Sequence, residues 1–118
     1  MKEGDVVLAL LPQSDGHVKA RPAVVLARMP GFGDLLVCGI STQLRQQVAG
    51  FDEVIGPSDG DFVSSGLKAA SLIRLAFLAA LPASGFAGAI GAISPERRQR
   101  LVRKLCDYLR PAETKPRE

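Results

Sequence analysis

Aromatic side chains are scarce in this 118-residue sequence, which has no Trp, one Tyr and five Phe. A protein that stacks several nucleic-acid bases on aromatic rings needs more rings than this chain can spare from its core. The hydrophobic fraction is nevertheless 47%, so the core must be built from Leu, Val, Ile and Ala. The composition therefore argues against an aromatic stacking platform, and the length suits one domain with an aliphatic core.

Cysteine and histidine are also rare. Cys38 and Cys106 are far apart and form no Cys-x-x-Cys pattern, and His17 is the only histidine. Each Cys lies in an apolar stretch, where we expect a free thiol packed as a small hydrophobe. These residues cannot form a conventional zinc site, and we expect no metal and no cofactor. Unpaired cysteines fit a reducing compartment, and with no visible signal peptide we expect a cytoplasmic protein.

Residues 75–93 carry no charge, but Pro82, Gly85 and Gly88 break this run into pieces too short to span a membrane. Familiar catalytic motifs are missing as well: there is no Gly-rich phosphate loop, no Gly-x-Ser-x-Gly elbow and no His-Glu-x-x-His. Any catalytic site must therefore be assembled from dispersed residues at the ends of strands, where loops on a rigid scaffold carry function.

The formal net charge is +3 and the pI is about 9.2, which permits a polyanionic partner without requiring one. Basic residues are concentrated near the C-terminus, at Arg97, Arg98, Arg100, Arg103, Lys104 and Arg110. We favour the solvated face of a helix over an RNA-binding patch as the interpretation of this run.

Short apolar runs bounded by turn residues predict strands at 6–11, 22–28, 35–41, 51–55, 72–81 and 86–93. Pro22 is expected at the first position of the second strand, because proline donates no hydrogen bond to a sheet. Ser94 and Pro95 are typical of a helix N-terminus. The predicted apolar stripe of this helix consists of Leu101, Val102, Leu105, Cys106 and Leu109, and Pro111 ends it.

These elements predict a mainly β (β-rich α+β) fold, a small twisted barrel or sandwich with the C-terminal amphipathic helix packed on it. We expect a single domain over residues 1–110 and a polar, flexible tail at 111–118.

Polar residues at strand ends are the candidates for a site. They are Lys19 and Arg21 before the second strand, Ser41, Thr42 and Gln43 after the third, Arg74 within the fifth, and His17 in the first loop. Without further information, a solvated charge or a local turn explains most of them better than a site does. Histidine, however, is the usual general acid or base near neutral pH.

Five segments, taken in order, resemble the MazF/PemK family of toxin endoribonucleases. The strongest match is Arg-Pro-Ala-Val-Val-Leu at 21–26. The other matching segments are Gly-Asp-Val-Val at 4–7, Leu-Val-Cys-Gly-Ile-Ser-Thr-Gln at 36–43, the run from Gly66-Leu67 to Arg74, and 90–96 at the start of the last helix. The resemblance as a whole spans residues 3 to about 110, nearly the whole predicted domain.

This resemblance implies an SH3-like barrel of the CcdB/PemK type, a homodimer, and a toxin neutralised by a cognate antitoxin. It implies cleavage of single-stranded RNA without metal, through attack by the substrate's own 2′-hydroxyl, and adds RNA binding, DNA binding and growth inhibition to the expected properties. The family's catalytic Arg falls on Arg21, and its catalytic Thr falls on Ser41, where the hydroxyl is kept. We take Thr42, Gln43, His17, Lys19 and Arg74 as the substrate-binding candidates.

The chemistry agrees with these assignments, because a planar Arg is suited to stabilising the charge that develops on a pentacoordinate phosphate. Arg is a poor base, so the general base stays open.

The chain departs from many members at Ala69-Ala70, where a polar or acidic residue is common. Three alternatives therefore remain: a non-catalytic RNA- or antitoxin-binding protein of this fold, a CcdB-like toxin acting on a protein such as gyrase, and a generic SH3-like peptide-binding module. The last is disfavoured because aromatic groove residues are mostly missing.

Overall fold

The structure, a computed structural model, describes residues 1–12 and 15–111. Within these ranges the strands are β1 Asp5–Pro12, β2 Val18–Arg28, β3 Leu35–Ser41, β4 Glu53–Ile55, β5 Ser71–Leu81 and β6 Phe86–Ala92. The helices are α1 Phe62–Ser65 and α2 Pro95–Leu109, and 3-10 turns lie at Leu44–Gln46 and Ala83–Gly85. All six predicted strands and the C-terminal helix are present, and only the four-residue α1 was not predicted. Of the predicted tail, 112–118 lies outside the described residues.

The six strands form one antiparallel sheet in the order β4-β5-β3-β2-β1-β6. The prediction of a mainly β fold with a C-terminal helix is confirmed. Among the described residues the outermost strands, β4 and β6, are not paired with each other, so the sheet is not closed. The strands β4 and β6 are therefore the two edge strands of the sheet.

The core has two parts, because successive side chains of a strand point to opposite faces of the sheet. One cluster lies between the sheet and α2, and it includes Val24, Ile73 and Leu101, all of them fully buried. The second cluster lies on the other face and includes Val25 and Val37. Both are dominated by aliphatic side chains, as the composition requires.

The second strand begins four residues earlier than predicted, so Pro22 lies inside it. Residues 18–24 pair with β1, whereas pairing with β3 starts only at Ala23, opposite Gly39. Pro22 therefore lies just beyond the ladder with β3, and its missing N–H removes no hydrogen bond from that ladder. The polar start of β2 is a two-stranded extension that hydrophobic periodicity does not detect.

The predicted boundaries of α2 are confirmed. The Oγ of Ser94 accepts a hydrogen bond of 3.1 Å from the N–H of Arg97, and Pro95 is the first helical residue. The predicted apolar stripe is wrong in the last turn, because Cys106 and Leu109 are exposed. There the helix no longer faces the sheet closely and borders an apolar groove of about 620 Å³. Cys38, in contrast, is buried as predicted, and burial raises the pKa of its thiol to about 12.

A wide bulge interrupts β5. Gly39 of β3 pairs with Arg74 but its neighbour Cys38 pairs with Leu78, so residues 75–77 have no partner on β3. The buried Asp52 holds this bulge, since its Oδ1 accepts a 3.0 Å hydrogen bond from the N–H of Leu75. The bulge separates the end of β5 that meets Ser41 from the half that lies along the apolar groove.

Candidate active site at a cavity beside three strands

The register of the sheet brings the two predicted catalytic residues together. Ala23 of β2 is opposite Gly39 of β3, and continuing this antiparallel register by two residues puts Arg21 opposite Ser41. On the other side of β3, Ser41 pairs with Leu72 at the start of β5. Ser41 therefore lies between β2 and the start of β5, although Arg21 and Leu72 are 20 and 31 positions away from it in the sequence.

A surface cavity of about 290 Å³ lies at this junction. Its described lining consists of Arg21, Pro22, Ile40, Ser41, Thr42, Gln43, Leu67, Lys68, Ala69 and Ser71. The lining includes four of the seven residues predicted from the sequence, namely Arg21, Ser41, Thr42 and Gln43. Ser41 is half-buried, whereas Arg21, Thr42 and Gln43 are exposed. The lining carries two cationic side chains, and no Asp, Glu or His is among its described residues.

The hydroxyl of Ser41 is held by a local turn. Its Oγ accepts a hydrogen bond of 3.0 Å from the backbone N–H of Gln43. A hydroxyl group has one donor and two acceptor positions. Because the N–H of Gln43 takes one acceptor position, this contact leaves the O–H of Ser41 to donate toward the cavity, for example to an anionic oxygen.

The segment between α1 and β5, together with the first residue of β5, supplies lining that was not predicted as part of the site. These residues are Leu67, Lys68, Ala69 and Ser71. Ser71 is buried, and its Oγ donates a 2.8 Å hydrogen bond to the carbonyl of Ala69. The family-like Gly66-Leu67 pattern was a signal for this segment, but only the pairing of β5 with β3 places it beside Ser41.

The other three predicted substrate contacts lie outside this lining. His17 is 85% exposed, and its Nδ1 is 3.2 Å from Asp15 Oδ2. The hydrogen bond from the His17 backbone N–H, together with the one from its side chain, lowers the pKa of Asp15. Lys19 is exposed on the extension of β2, opposite Leu11. Arg74 is half-buried, with its Cζ 6.0 Å from the centre of the Phe77 ring.

The basic residues of α2 do not form a free cationic face, and the solvated-face interpretation is wrong for Arg97. Arg97 is buried and binds Asp61 through two hydrogen bonds, Nε to Oδ2 at 2.8 Å and Nη2 to Oδ1 at 3.1 Å. Its Nη1 also donates to Glu53 at 2.9 Å. Arg100 and Lys104 add ion pairs of 3.1 and 3.0 Å with the same Glu53. The carboxylates of β4 and the following loop thus neutralise this side of the helix.

This ion network changes the pKa values of its members. Burial acts to raise the pKa of the Asp61 carboxyl, but hydrogen bonds from Arg97 and the N–H of Ser94 outweigh it, so the pKa lies below its usual value. Burial likewise acts to raise the pKa of Glu53, and its bonds to Arg100 and Lys104 bring that pKa below the usual value. Burial would lower the pKa of Arg97, but Asp61 and Glu53 raise it. Asp61, Glu53 and Arg97 are therefore held in their charged forms.

No helix among the described residues has the length and apolar character needed to cross a membrane. In residues 1–12 and 15–111, no group of three or more His, Cys, Asp or Glu side chains is arranged to hold a metal ion.

Comparison with known proteins identifies the family. The family model for the PemK-like, MazF-like toxin of type II toxin–antitoxin systems matches residues 2–109. Among solved structures, the chain is similar to Mycobacterium tuberculosis toxin MazF-mt6, with a TM-score of 0.64 and 20% sequence identity over 87% of this chain and 93% of that one. At this identity the structural likeness supports the fold alone, and no curated protein matches the sequence. The family match covers nearly the whole chain, which therefore belongs to the PemK-like, MazF-like toxins of type II toxin–antitoxin systems.

Proposed function

We propose that this toxin is an endoribonuclease that cleaves single-stranded RNA, mRNA in particular, at the cavity between β2, β3 and β5. The observation that carries the proposal is the meeting of Arg21 and Ser41, with Thr42 and Gln43, in the lining of one cavity. Membership of the toxin family supports it further. The same proposal sets its action in the cytoplasm, where mRNA and a cognate antitoxin are available.

In the proposed reaction the 2′-hydroxyl of the substrate attacks the adjacent phosphorus, and the 5′-oxygen of the next nucleotide leaves. The products are a 2′,3′-cyclic phosphate and a free 5′-hydroxyl, and the proton of the 2′-hydroxyl is transferred overall to the leaving oxygen. The nucleophile belongs to the substrate, so the protein needs no nucleophilic side chain. Its task is to hold the phosphate and stabilise the charge of the transition state.

Arg21 is assigned to stabilising that charge, since its planar guanidinium can donate two hydrogen bonds to a phosphate. Ser41 donates its O–H to a non-bridging oxygen while the N–H of Gln43 fixes its Oγ. Thr42 and Gln43 are exposed at the rim and are assigned to substrate binding. His17, Lys19 and Arg74 would contact the RNA only where it runs beyond the cavity. The general base is left unassigned, because no Asp, Glu or His belongs to the described lining.

We also propose that the reaction proceeds without a metal ion and that the toxin acts as a homodimer. The first proposal rests on the cationic lining, which can neutralise phosphate charge through side chains. The second rests on the family alone. EDTA in the cleavage assay tests the first, and light scattering of the purified protein tests the second.

The test is incubation of purified, antitoxin-free protein with a long single-stranded RNA in the presence of EDTA. Wild type, Arg21→Ala and Arg103→Ala are compared; Arg103 is an exposed arginine on α2, outside the cavity lining. We expect wild type and Arg103→Ala to produce fragments that end in 2′,3′-cyclic phosphate, and Arg21→Ala to leave the RNA intact. If folded wild-type protein leaves several different RNAs intact, the proposal fails. RNA binding, antitoxin binding and inhibition of DNA gyrase supercoiling would then decide between the alternatives.

A further inference from the structure

Lys68 is the second cation, beside Arg21, in the lining of the candidate site. Neither the sequence motifs nor the family resemblance assigns it a role. Its side chain is exposed, and none of the carboxylates that the structure describes forms an ion pair with it. This contrasts with Lys104, whose ammonium group binds Glu53 at 3.0 Å. A lysine beside a cavity, without a carboxylate to neutralise it, retains its charge for an anionic ligand.

The backbone on the N-terminal side of Lys68 is fixed by Gly66. Gly66 has a φ of +76°, and a Cβ placed there would lie 2.2 Å from the carbonyl oxygen of Ile90. Only glycine fits this close approach to β6. The next residue is held as well, because the N–H of Leu67 donates a 3.2 Å hydrogen bond to the Oγ of the buried Ser65.

The C-terminal side of Lys68 is equally constrained. The carbonyl of Ala69 accepts the 2.8 Å hydrogen bond from Ser71, and Ser71 begins the strand that pairs with β3 and β4. Lys68 is therefore presented from a short loop held at both ends, across the cavity from the strand that carries Arg21. Such a loop loses little backbone entropy when a ligand binds.

We propose that Lys68 is a phosphate-binding residue of this site that binds the RNA backbone in the ground state, while Arg21 serves the transition state. The inference rests on the proposed ribonuclease function for its substrate. Lysine acts on phosphate as a point charge on a flexible stem, which suits a contact that holds the strand without fixing its geometry. Removing Lys68 should therefore raise KM and leave kcat nearly unchanged.

The experiment compares wild type, Lys68→Met, Lys68→Arg and Lys2→Met. Lys2→Met is the matched control, since Lys2 is an exposed lysine outside the cavity lining. Binding is measured with a 2′-O-methyl RNA, which has no attacking hydroxyl, at several salt concentrations. We expect Lys68→Met to weaken binding roughly tenfold at low salt, and to reduce the slope of log K against log salt by about 0.7, the value for one phosphate contact on a single strand. Lys68→Arg and Lys2→Met should match wild type in slope.

The outcomes separate this inference from the proposed activity. If the slope depends on Lys68 but wild type cleaves no RNA, the phosphate contact stands and the ribonuclease proposal fails. If wild type cleaves RNA and Lys68→Met keeps its KM and its salt slope, the inference is overturned. A fall in kcat at unchanged KM also overturns it, because Lys68 would then act in the transition state. Equal urea unfolding curves for the four proteins ensure that the differences concern binding.

Discussion

Two groups of basic residues in this molecule have different surroundings. Arg97 is buried between α2 and the sheet and is bonded to Asp61 and Glu53. Arg21 is exposed at the rim of a cavity whose described lining has a second cation, Lys68, and no carboxylate. The first arrangement pairs a buried arginine with buried carboxylates, and the second places cationic side chains beside a cavity. A basic residue in a sequence can therefore belong to a buried ion network or to the lining of a surface cavity, and only the fold distinguishes the two.

The largest expected effect is on stability, at Arg97. Replacing Arg97 by Met leaves the buried Asp61 carboxylate without its main partner, and Glu53 retains only Arg100 and Lys104. Breaking a buried pair in this way costs about 3–5 kcal/mol. Urea unfolding should show a loss of that size, whereas the exposed control Arg103→Met should remain within about 0.5 kcal/mol of wild type. A stable Arg97→Met variant would mean that the network contributes little to the fold.

Next in size is the catalytic effect of Arg21. Arg21→Ala should lower the single-turnover cleavage rate by about 10²–10³-fold, the usual cost of one preorganised donor to a developing negative charge. Its free energy of unfolding should change by no more than about 0.5 kcal/mol, because the side chain is exposed. Arg97→Met should show the reverse pattern, with normal cleavage per folded molecule. If Arg21→Ala unfolds the protein, Arg21 stabilises the fold as Arg97 does, and the distinction between a structural Arg97 and a catalytic Arg21 is wrong.

Acid should affect the two regions differently. The folded-state pKa values of Asp61 and Glu53 lie below their usual values, so their contribution to stability is present above the unfolded values of about 3.9 and 4.3. It is lost as the pH falls through the lower, folded-state values, where the carboxylates are protonated. The free energy of unfolding of wild type should therefore decrease below about pH 4.

Asp61→Asn is the matched variant for this measurement, because it cannot be protonated. Its stability should be lower at pH 7 and should fall less steeply with acid than that of wild type. Equal slopes in the two proteins would show that Asp61 does not carry the acid dependence. Binding of a 2′-O-methyl RNA too short to extend beyond the cavity to His17 should change little from pH 7 to 5, in the range where the protein is folded, since the described lining contains no Asp, Glu or His.

Local patterns in the sequence were sufficient for most of the elements. Short apolar runs bounded by turn residues predict the six strands, a 3.6-residue hydrophobic period predicts α2, and Ser94 caps the helix as expected. The early start of β2 was missed because the residues from Val18 to Arg21 pair with β1 but are all exposed, so they bury little apolar area. Backbone hydrogen bonds hold this segment, and they leave no trace in a hydrophobicity pattern.

Only part of the site could be predicted, because the rest depends on contacts between residues far apart in the sequence. Ser41, Thr42 and Gln43 follow from the end of β3, and Arg21 follows from the Arg-Pro pair that precedes the apolar part of β2. Lys68 joins them only because β5 is the neighbour of β3, which is a long-range pairing. The burial of Arg97 depends likewise on carboxylates 36 and 44 residues away. Such contacts follow from topology and cannot be deduced from spacing along the chain.

The smallest of these effects is expected at Ser41, and it tests how the cavity stabilises charge. Ser41→Ala removes one hydroxyl donor, so we expect the single-turnover rate to fall about tenfold, close to the lower limit for a hydrogen bond to a charged group. Ser41→Thr should keep the rate, since it retains the hydroxyl. Stability should hardly change, because the N–H of Gln43, which loses its acceptor, lies in an exposed turn and can bond to water.

Ser41 and Arg21 are expected to act on the same phosphate, and this can be measured in the double variant. If both donors stabilise one transition-state charge, the effects of Ser41→Ala and Arg21→Ala should be non-additive, with a coupling of at least about 0.5 kcal/mol. Additive effects would place the two side chains on different groups of the RNA. Ser41 would then bind the RNA as Lys68 does. Arg21 would be the single donor of the cavity that stabilises the transition state.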